Sequence, residues 1–148
     1  MVEIQGELWD FYDKPNTFIC ITTNGTVKAD GKCVMGRGCA KEAATKFIYL
    51  PAMLGASIKK HGNVFAALTP RADETGTLFA FPVKHNWWEQ ANLDLIYDSA
   101  AALEKLAKSM PEATFVLPRP GCGMGHLEWE DVKDIISFLP DNVKVISK

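Results

Sequence analysis

The order of hydrophobic patterns along this chain predicts an α/β fold, a three-layer α/β/α sandwich in which helices cover both faces of a sheet of about six strands. Three observations carry that reading. Short apolar or alternating runs recur at residues 2–9, 17–23, 64–69, 78–83, 114–117 and 143–146. Segments with helical spacing fall between most of these runs. One run, Phe115-Val116-Leu117, ends at Pro118 and breaks into a glycine loop before a helical pattern resumes. With 148 residues, the chain is read as one domain spanning its full length, large enough to bury a real core.

Residues 2–9 alternate in polarity, as a half-buried strand does. Thr17-Phe18-Ile19-Cys20-Ile21-Thr22-Thr23 is continuous and β-branched, the pattern of a strand buried on both faces. A loop rich in Gly, Asn and Asp covers 24–36. Residues 38–49 read as helix, with Ala40, Ala43, Ala44 and Phe47 at helical spacing. Pro51 opens a second helix over 52–60, closed by Gly62-Asn63. A strand at 64–69, a polar loop at 70–76 and a strand at 78–83 follow. The longest helix covers 92–110, with Asn92 as its candidate cap and Leu95, Ala102, Leu103, Leu106 and Met110 as its core stripe. After the strand at 114–117, a helix over 128–138 turns Val132, Ile135 and Ile136 inward, and 143–146 is the last strand.

A net charge of −2 lacks the basic surplus of a generic nucleic-acid binder, although a local patch can still take a nucleic acid as substrate. No apolar run is long enough to cross a membrane, and Met1-Val2-Glu3-Ile4-Gln5 is too polar for a signal peptide, so a cytoplasmic location is expected. The four cysteines, Cys20, Cys33, Cys39 and Cys122, form no Cys-x-x-Cys pair. His61, His85 and His126 complete no zinc spacing. Reduced thiols, no metal and no cofactor are expected.

In sheets of this kind ligands sit outside the C-terminal ends of the strands. The loops after Thr23, Val83 and Leu117 are therefore the candidate rim of one cleft. The loop after Leu117 has glycine at alternate positions, Gly121, Gly123 and Gly125, ahead of a helical pattern that opens at Glu128. Such a loop lets the backbone come close to a ligand and aims N–H groups, with the positive end of a helix, at one point. That arrangement suits phosphate. The spacing is neither the Rossmann fingerprint nor a Walker P-loop. A plain strand-to-helix turn with spare glycines is the competing reading.

Three segments together resemble a macro domain, the ADP-ribose-binding α/β/α fold. The closest likeness is to its lysine-dependent ADP-ribosylhydrolase branch, which includes the DarG-like antitoxins that act on ADP-ribosylated DNA. The first segment is Thr22-Thr23-Asn24-Gly25, continued after an insertion by Val34-Met35-Gly36-Arg37-Gly38-Cys39-Ala40. The second is Phe81-Pro82-Val83-Lys84-His85-Asn86-Trp87, and the third is Gly121 to Trp129. Their order and approximate spacing are similar to the family's over nearly the whole chain. The resemblance implies a mixed, mostly parallel sheet. Three departures stand out. Glu7 sits where the family usually has Asp or Asn, and Ile21 where it often has a first asparagine. Gly125-His126 replaces the catalytic Asp that related eukaryotic hydrolases carry in the glycine loop.

By this resemblance Glu7 and the backbone of Leu8 read adenine. The diphosphate lies between two bends, Met35-Gly36-Arg37-Gly38 on one side and Pro118 with Gly121-Cys122-Gly123-Met124-Gly125 on the other. Convergent amides form the anion nest. Arg37 either adds charge there or is simply solvated. Asn24 reads the distal ribose, its amide both donating and accepting; before a glycine it also reads as a turn former. Lys84, Asn24 and His126 are the catalytic candidates. Read alone, Lys84 is a surface charge. In the resembling branch its amine attacks the anomeric carbon of the distal ribose, which requires the neutral form. A protonated Lys84 would instead stabilise the leaving group. Trp87 and Trp88 either stack on a base or cap the core edge. The implied activity is removal of mono-ADP-ribose from a protein acidic side chain or a nucleobase. Its partners are ADP-ribose and an ADP-ribosylated protein or nucleic acid, and the protein is expected to be a monomer with no membrane partner. The alternatives are a non-catalytic ADP-ribose binder and an ADP-ribose 1″-phosphate phosphatase.

Overall fold

Parallel strands need crossover connections, and the helical segments between the apolar runs supply them. A computed structural model of the chain describes residues 1–68 and 78–148. The strands are β1 (Val2–Gln5), β2 (Thr17–Asn24), β3 (Ala66–Leu68), β4 (Leu78–Lys84), β5 (Thr114–Pro118) and β6 (Val143–Ser147). They form one six-stranded sheet in the order β1-β6-β5-β2-β4-β3. Every neighbouring pair is parallel except β3 with β4. The sheet is therefore mixed and mostly parallel. The polar loop expected at 70–76, and the end of the strand expected to reach Thr69, lie outside the described residues.

Four helices complete the layers: α1 (Gly38–Lys46), α2 (Leu50–His61), α3 (Leu93–Ser109) and α4 (Trp129–Ile136). Side chains alternate across the strands, so each face of the sheet has its own core. Ile19, Ile21, Leu78 and Ala80 pack with α1 and α2 through Ala40, Ala43, Leu50 and Leu54. Cys20, Phe79, Phe81 and Phe115 pack with α3 and α4 through Ile96, Leu103, Val132 and Ile136. Asn92 caps α3, its side chain accepting from the Leu95 N–H at 3.0 Å.

Three expectations need correction. The strand expected over 2–9 stops at Gln5: Gly6 takes φ +146°, and Leu8–Phe11 is a 3₁₀ turn that buries Leu8. The helix expected over 38–49 ends at Lys46, because Phe47 is extended and α2 already starts at Leu50. In α3, Ala102 is exposed, while Ile96, Ser99, Ala100 and Ala107 are buried, so the inward stripe is rotated from the expected one. One irregularity bears on the site. Thr23 pairs with Pro82 but Asn24 pairs with Lys84, so Val83 bulges from the ladder. Such a bulge bends the strand and re-aims the side chains that follow it.

Candidate functional site

Because β5, β2 and β4 are neighbours, the three loops leaving their C-terminal ends converge. They enclose a cavity of about 660 Å³, within the range of small-molecule sites. Thr23 and Asn24 from β2, Val83 and Lys84 from β4, and Pro118 from β5 line its floor. Gly6, Leu8, Ile146 and Ser147 close one end.

Two glycine bends face each other across this cavity. One is Met35-Gly36-Arg37-Gly38, leading into α1; the other contains Gly121, Gly123, Met124 and Gly125. A Cβ built on Gly36, Gly38 or Gly123 meets nothing within 4 Å, so those backbones border open space. On Gly121 it would lie 2.9 Å from Ala91 Cβ, and on Gly125 only 2.4 Å from the Gly121 carbonyl oxygen. Gly121 also sits at φ +74°, where a side chain is strained. In α1 the first amide to find a partner is Lys41, donating to the Arg37 carbonyl at 3.2 Å. The first-turn N–H groups of α1 are thus left for a ligand. In the other bend the N–H groups of Gly123, Met124 and Gly125 donate to no group among the described residues. The helix end at the cavity is that of α1. The expectation that the helix after the glycine loop aims its positive end there is not met, since neither Trp129 nor Glu130 of α4 lines the cavity.

Lys84 stands at the rim between these bends. Its Nζ donates to the Met124 carbonyl at 3.0 Å and to the Trp87 carbonyl at 3.3 Å. The segment around it is anchored by Gly25 N–H donating to the His85 carbonyl, Asn63 donating to the Lys84 carbonyl, and Trp87 N–H donating to the Thr26 hydroxyl. Partial burial, and then the nearby Arg37 guanidinium, lower the Lys84 pKa from its ordinary value of 10.5. Both effects disfavour the charged ammonium.

No family model matches the sequence, and no curated protein matches it. Solved structures do. The chain is similar to the macrodomain of Mycobacterium tuberculosis DarG, with a TM-score of 0.75 at 22% identity over 98% of this chain and 95% of that one. The macrodomain of Thermus aquaticus DarG gives 0.72 at 21% identity, over 98% and 95%. This chain has the macrodomain fold. Thermosipho africanus DarTG, solved in complex with ADP-ribose, gives 0.79 at 16% identity over 98% of this chain but 41% of that longer one. The likeness is one of fold.

Within this macrodomain the other expected site residues divide. Leu8, Asn24, Met35, Gly36, Arg37, Gly38, Pro118, Gly121, Gly123, Met124 and Gly125 all line the cavity. Glu7 is not itself a lining residue: its carboxylate pairs at 3.6 Å with Lys148, which lines the cavity together with Gly6 and Leu8. Nor is Cys122: it is half-buried against the core, and its Sγ donates to the Pro120 carbonyl at 3.4 Å. Asn24 is at the wall, where one Nδ2 hydrogen donates to the Val34 carbonyl at 2.9 Å and Oδ1 accepts from Thr26 N–H at 3.0 Å, leaving the second Nδ2 hydrogen for a ligand. It fastens the loop that carries the first glycine bend.

Other wall residues were not legible as such. Thr23 is 4% exposed, and its hydroxyl has no hydrogen-bond partner among the described residues. Cys39 accepts from the Thr22 N–H at 3.4 Å, and burial raises its pKa, which argues against a reactive thiol. Arg119 stacks on Trp129 at 4.9 Å and pairs with Glu3 at 3.6 Å. Lys133, and then the Trp129 indole, hold the Glu3 carboxyl below its usual range. The signal for the contacts of Glu3 was weak because they join residues more than a hundred positions apart in the chain.

A second cavity of about 510 Å³ adjoins the first and shares Arg37, Lys84, Trp87 and Met124 with it. Trp88, Glu89, Gln90 and His126 complete its lining. The two indoles meet edge-on at 5.9 Å, and both are substantially exposed. His126 holds φ +62°, a left-handed conformation that costs a residue with a side chain about 1–2 kcal/mol. Among the described residues no group of three or more His, Cys, Asp or Glu could hold a metal ion, and no helix is long and apolar enough to cross a membrane.

Proposed function

We propose that this macrodomain binds ADP-ribose in the larger cavity and removes mono-ADP-ribose from a modified macromolecule, with Lys84 as the principal catalytic residue. The observation that carries the reading is the meeting of two glycine bends, both with unpartnered amides, across a cavity that has a lysine amine at its rim. Amides converging from two sides suit a diphosphate, which has acceptors on both. At the end formed by Gly6, Leu8, Ile146 and Ser147, the Leu8 and Ile146 side chains offer an apolar surface that suits the adenine. The distal ribose then falls near Asn24 and Lys84. Thermosipho africanus DarTG, of like fold, was solved with ADP-ribose, which supports the choice of ligand.

In the proposed reaction the neutral Lys84 amine attacks the anomeric carbon and displaces the macromolecule. A neutral amine has two N–H groups and one lone pair. With both N–H groups given to the carbonyls of Trp87 and Met124, the lone pair is the remaining face of the nitrogen. The lowered pKa raises the fraction of amine in that form. The substrate is an ADP-ribosylated protein or nucleic acid, joined through an acidic side chain or a nucleobase.

A non-catalytic binder is the second reading, and the same two hydrogen bonds favour it. They make Lys84 a tie between the loop after β4 and the glycine loop. One variant separates the two. Under the hydrolase reading, Lys84→Ala keeps ADP-ribose affinity within a few-fold and slows release of ADP-ribose from conjugates by about 100-fold or more. Native protein that binds ADP-ribose but frees it from no protein or DNA conjugate would establish the binder instead.

A further inference from the structure

From the strained backbone at His126 and the cavity it borders, we infer that the smaller cavity receives the departing group and that His126 gives it a proton. The inference rests on the hydrolase reading above and specifies what that reading leaves open, namely the fate of the leaving group.

The smaller cavity adjoins the larger one through Lys84, Arg37, Trp87 and Met124, which belong to both. With the sugar of ADP-ribose in the larger cavity, a bond broken beside Lys84 leaves the smaller one as the adjoining space for the aglycone. The exposed indoles of Trp87 and Trp88 give this second space an aromatic wall. Its ionisable groups are Arg37, Lys84, Glu89 and His126. Arginine holds its proton too tightly to give it up, and the carboxylate of Glu89 already accepts from Asn86 at 2.8 Å. Lys84 is the attacking group. His126 is what remains, and imidazolium is the side chain suited to proton donation near neutrality.

Two features of His126 set it apart from an ordinary loop residue. Its backbone takes φ +62°, a conformation that glycine would adopt without strain, in a loop that already has glycine at positions 121, 123 and 125. Backbone strain kept at a cleft is a pointer to a role for the side chain. The loop fixes this geometry through the His126 N–H donating to the Gly123 carbonyl at 3.1 Å and Gln90 donating to the His126 carbonyl at 3.4 Å. The imidazole itself has no hydrogen-bond partner among the described residues, and His126 lines the cavity.

The step balances. The Lys84 lone pair forms the bond to the anomeric carbon as the bond from that carbon to the departing oxygen or nitrogen breaks. The leaving atom takes the bonding pair and a proton from the His126 imidazolium, which becomes neutral. Water then forms the new bond to the anomeric carbon as the carbon–nitrogen bond breaks with its pair to Lys84, and the water proton passes to neutral His126, which restores both groups. A departing carboxylate or nitrophenolate is stable without that proton, whereas an alkoxide, a phenolate of high basicity or an amide-type nitrogen is not. The substrate class therefore includes linkages whose departing atom is a poor anion.

The test uses 1″-O-aryl ethers of ADP-ribose with phenols of graded acidity, following phenol release by the full chain. His126→Gly removes the proton donor and relieves the strain, so its unfolding midpoint should equal or exceed the native one. It should slow the unsubstituted phenyl ether by about 100-fold or more, and the 4-nitrophenyl ether by less than about threefold. His126→Asn, which also tolerates left-handed φ, should behave the same way. Equal slowing of all ethers, or of none, overturns the role of His126 while leaving the Lys84 mechanism in place. If native protein cleaves no ether that it binds, the role of His126 falls, and the Lys84 reading stands or falls on the protein and DNA conjugates alone.

Discussion

Gly36, Gly38 and Gly123 border open space, whereas Gly121 and Gly125 are wedged against Ala91, Ile96 and each other. The same residue type answers two different demands in two bends that face one cavity. At Gly121 and Gly125 the missing side chain lets the loop fold onto the core under α3. At Gly36 and Gly123 nothing in the protein needs the space, at Gly38 only the φ of +59° calls for glycine, and at all three the bare backbone presents amides to whatever enters. The packed glycines shape the cradle and the open ones serve the ligand.

Substitution separates these demands. Gly125→Ala should have the largest effect on folding, because its Cβ would meet the Gly121 carbonyl oxygen at 2.4 Å and Ala91 Cβ at 2.7 Å. A loss of roughly 3 kcal/mol is expected in denaturant unfolding. Gly36→Val and Gly123→Val reverse the pattern. Their unfolding midpoints should stay near the native one, while affinity for ADP-ribose, measured by calorimetry, falls by about 10–100-fold as amides are screened from the diphosphate. Unchanged affinity in both variants would remove the distinction between the two sets.

The pH dependence of Lys84 sharpens the contrast between cradle and amine. On a conjugate whose leaving group needs no proton, the rate should rise with pH through a midpoint below 10.5, because only the free amine attacks and burial lowers its pKa. A bound diphosphate favours the ammonium and moves that midpoint back up. A rate that falls with pH over the same range would make Lys84 an electrostatic stabiliser instead. The smallest effect belongs to a site away from the cleft: Asn92→Ala removes the α3 cap and should cost about 1 kcal/mol in unfolding without changing ADP-ribose affinity.

The sheet was largely legible because its central strands are continuous apolar runs, and burial on both faces demands such runs. The edge misled. Residues 2–9 alternate throughout, yet the chain turns at Gly6 to bury Leu8, and alternation does not distinguish a strand from a strand that ends in a turn. The rim of the cleft was legible from the glycines and from Lys84, which lie at strand ends. Which helix end faces the cavity was not, because α1 and α4 both follow glycine bends and only the three-dimensional course of the chain selects α1. Asn24 shows the limit at a single side chain: the motif points to the ribose, while the bonds of its amide to Val34 and Thr26, which fasten the loop, form only in the folded chain. Glu7 shows another: Gly6 and Leu8 line the cavity, whereas the Glu7 carboxylate reaches it only through its pair with the lining residue Lys148.

A calorimetric titration of ADP-ribose against AMP, into native protein and Gly123→Val, goes most directly to the diphosphate cradle. Native protein should bind ADP-ribose well over tenfold more tightly than AMP, and the variant should lose most of that margin while unfolding at the native midpoint. Equal affinity for the two ligands, or an undiminished margin in the variant, would mean that the facing amides do not hold the diphosphate.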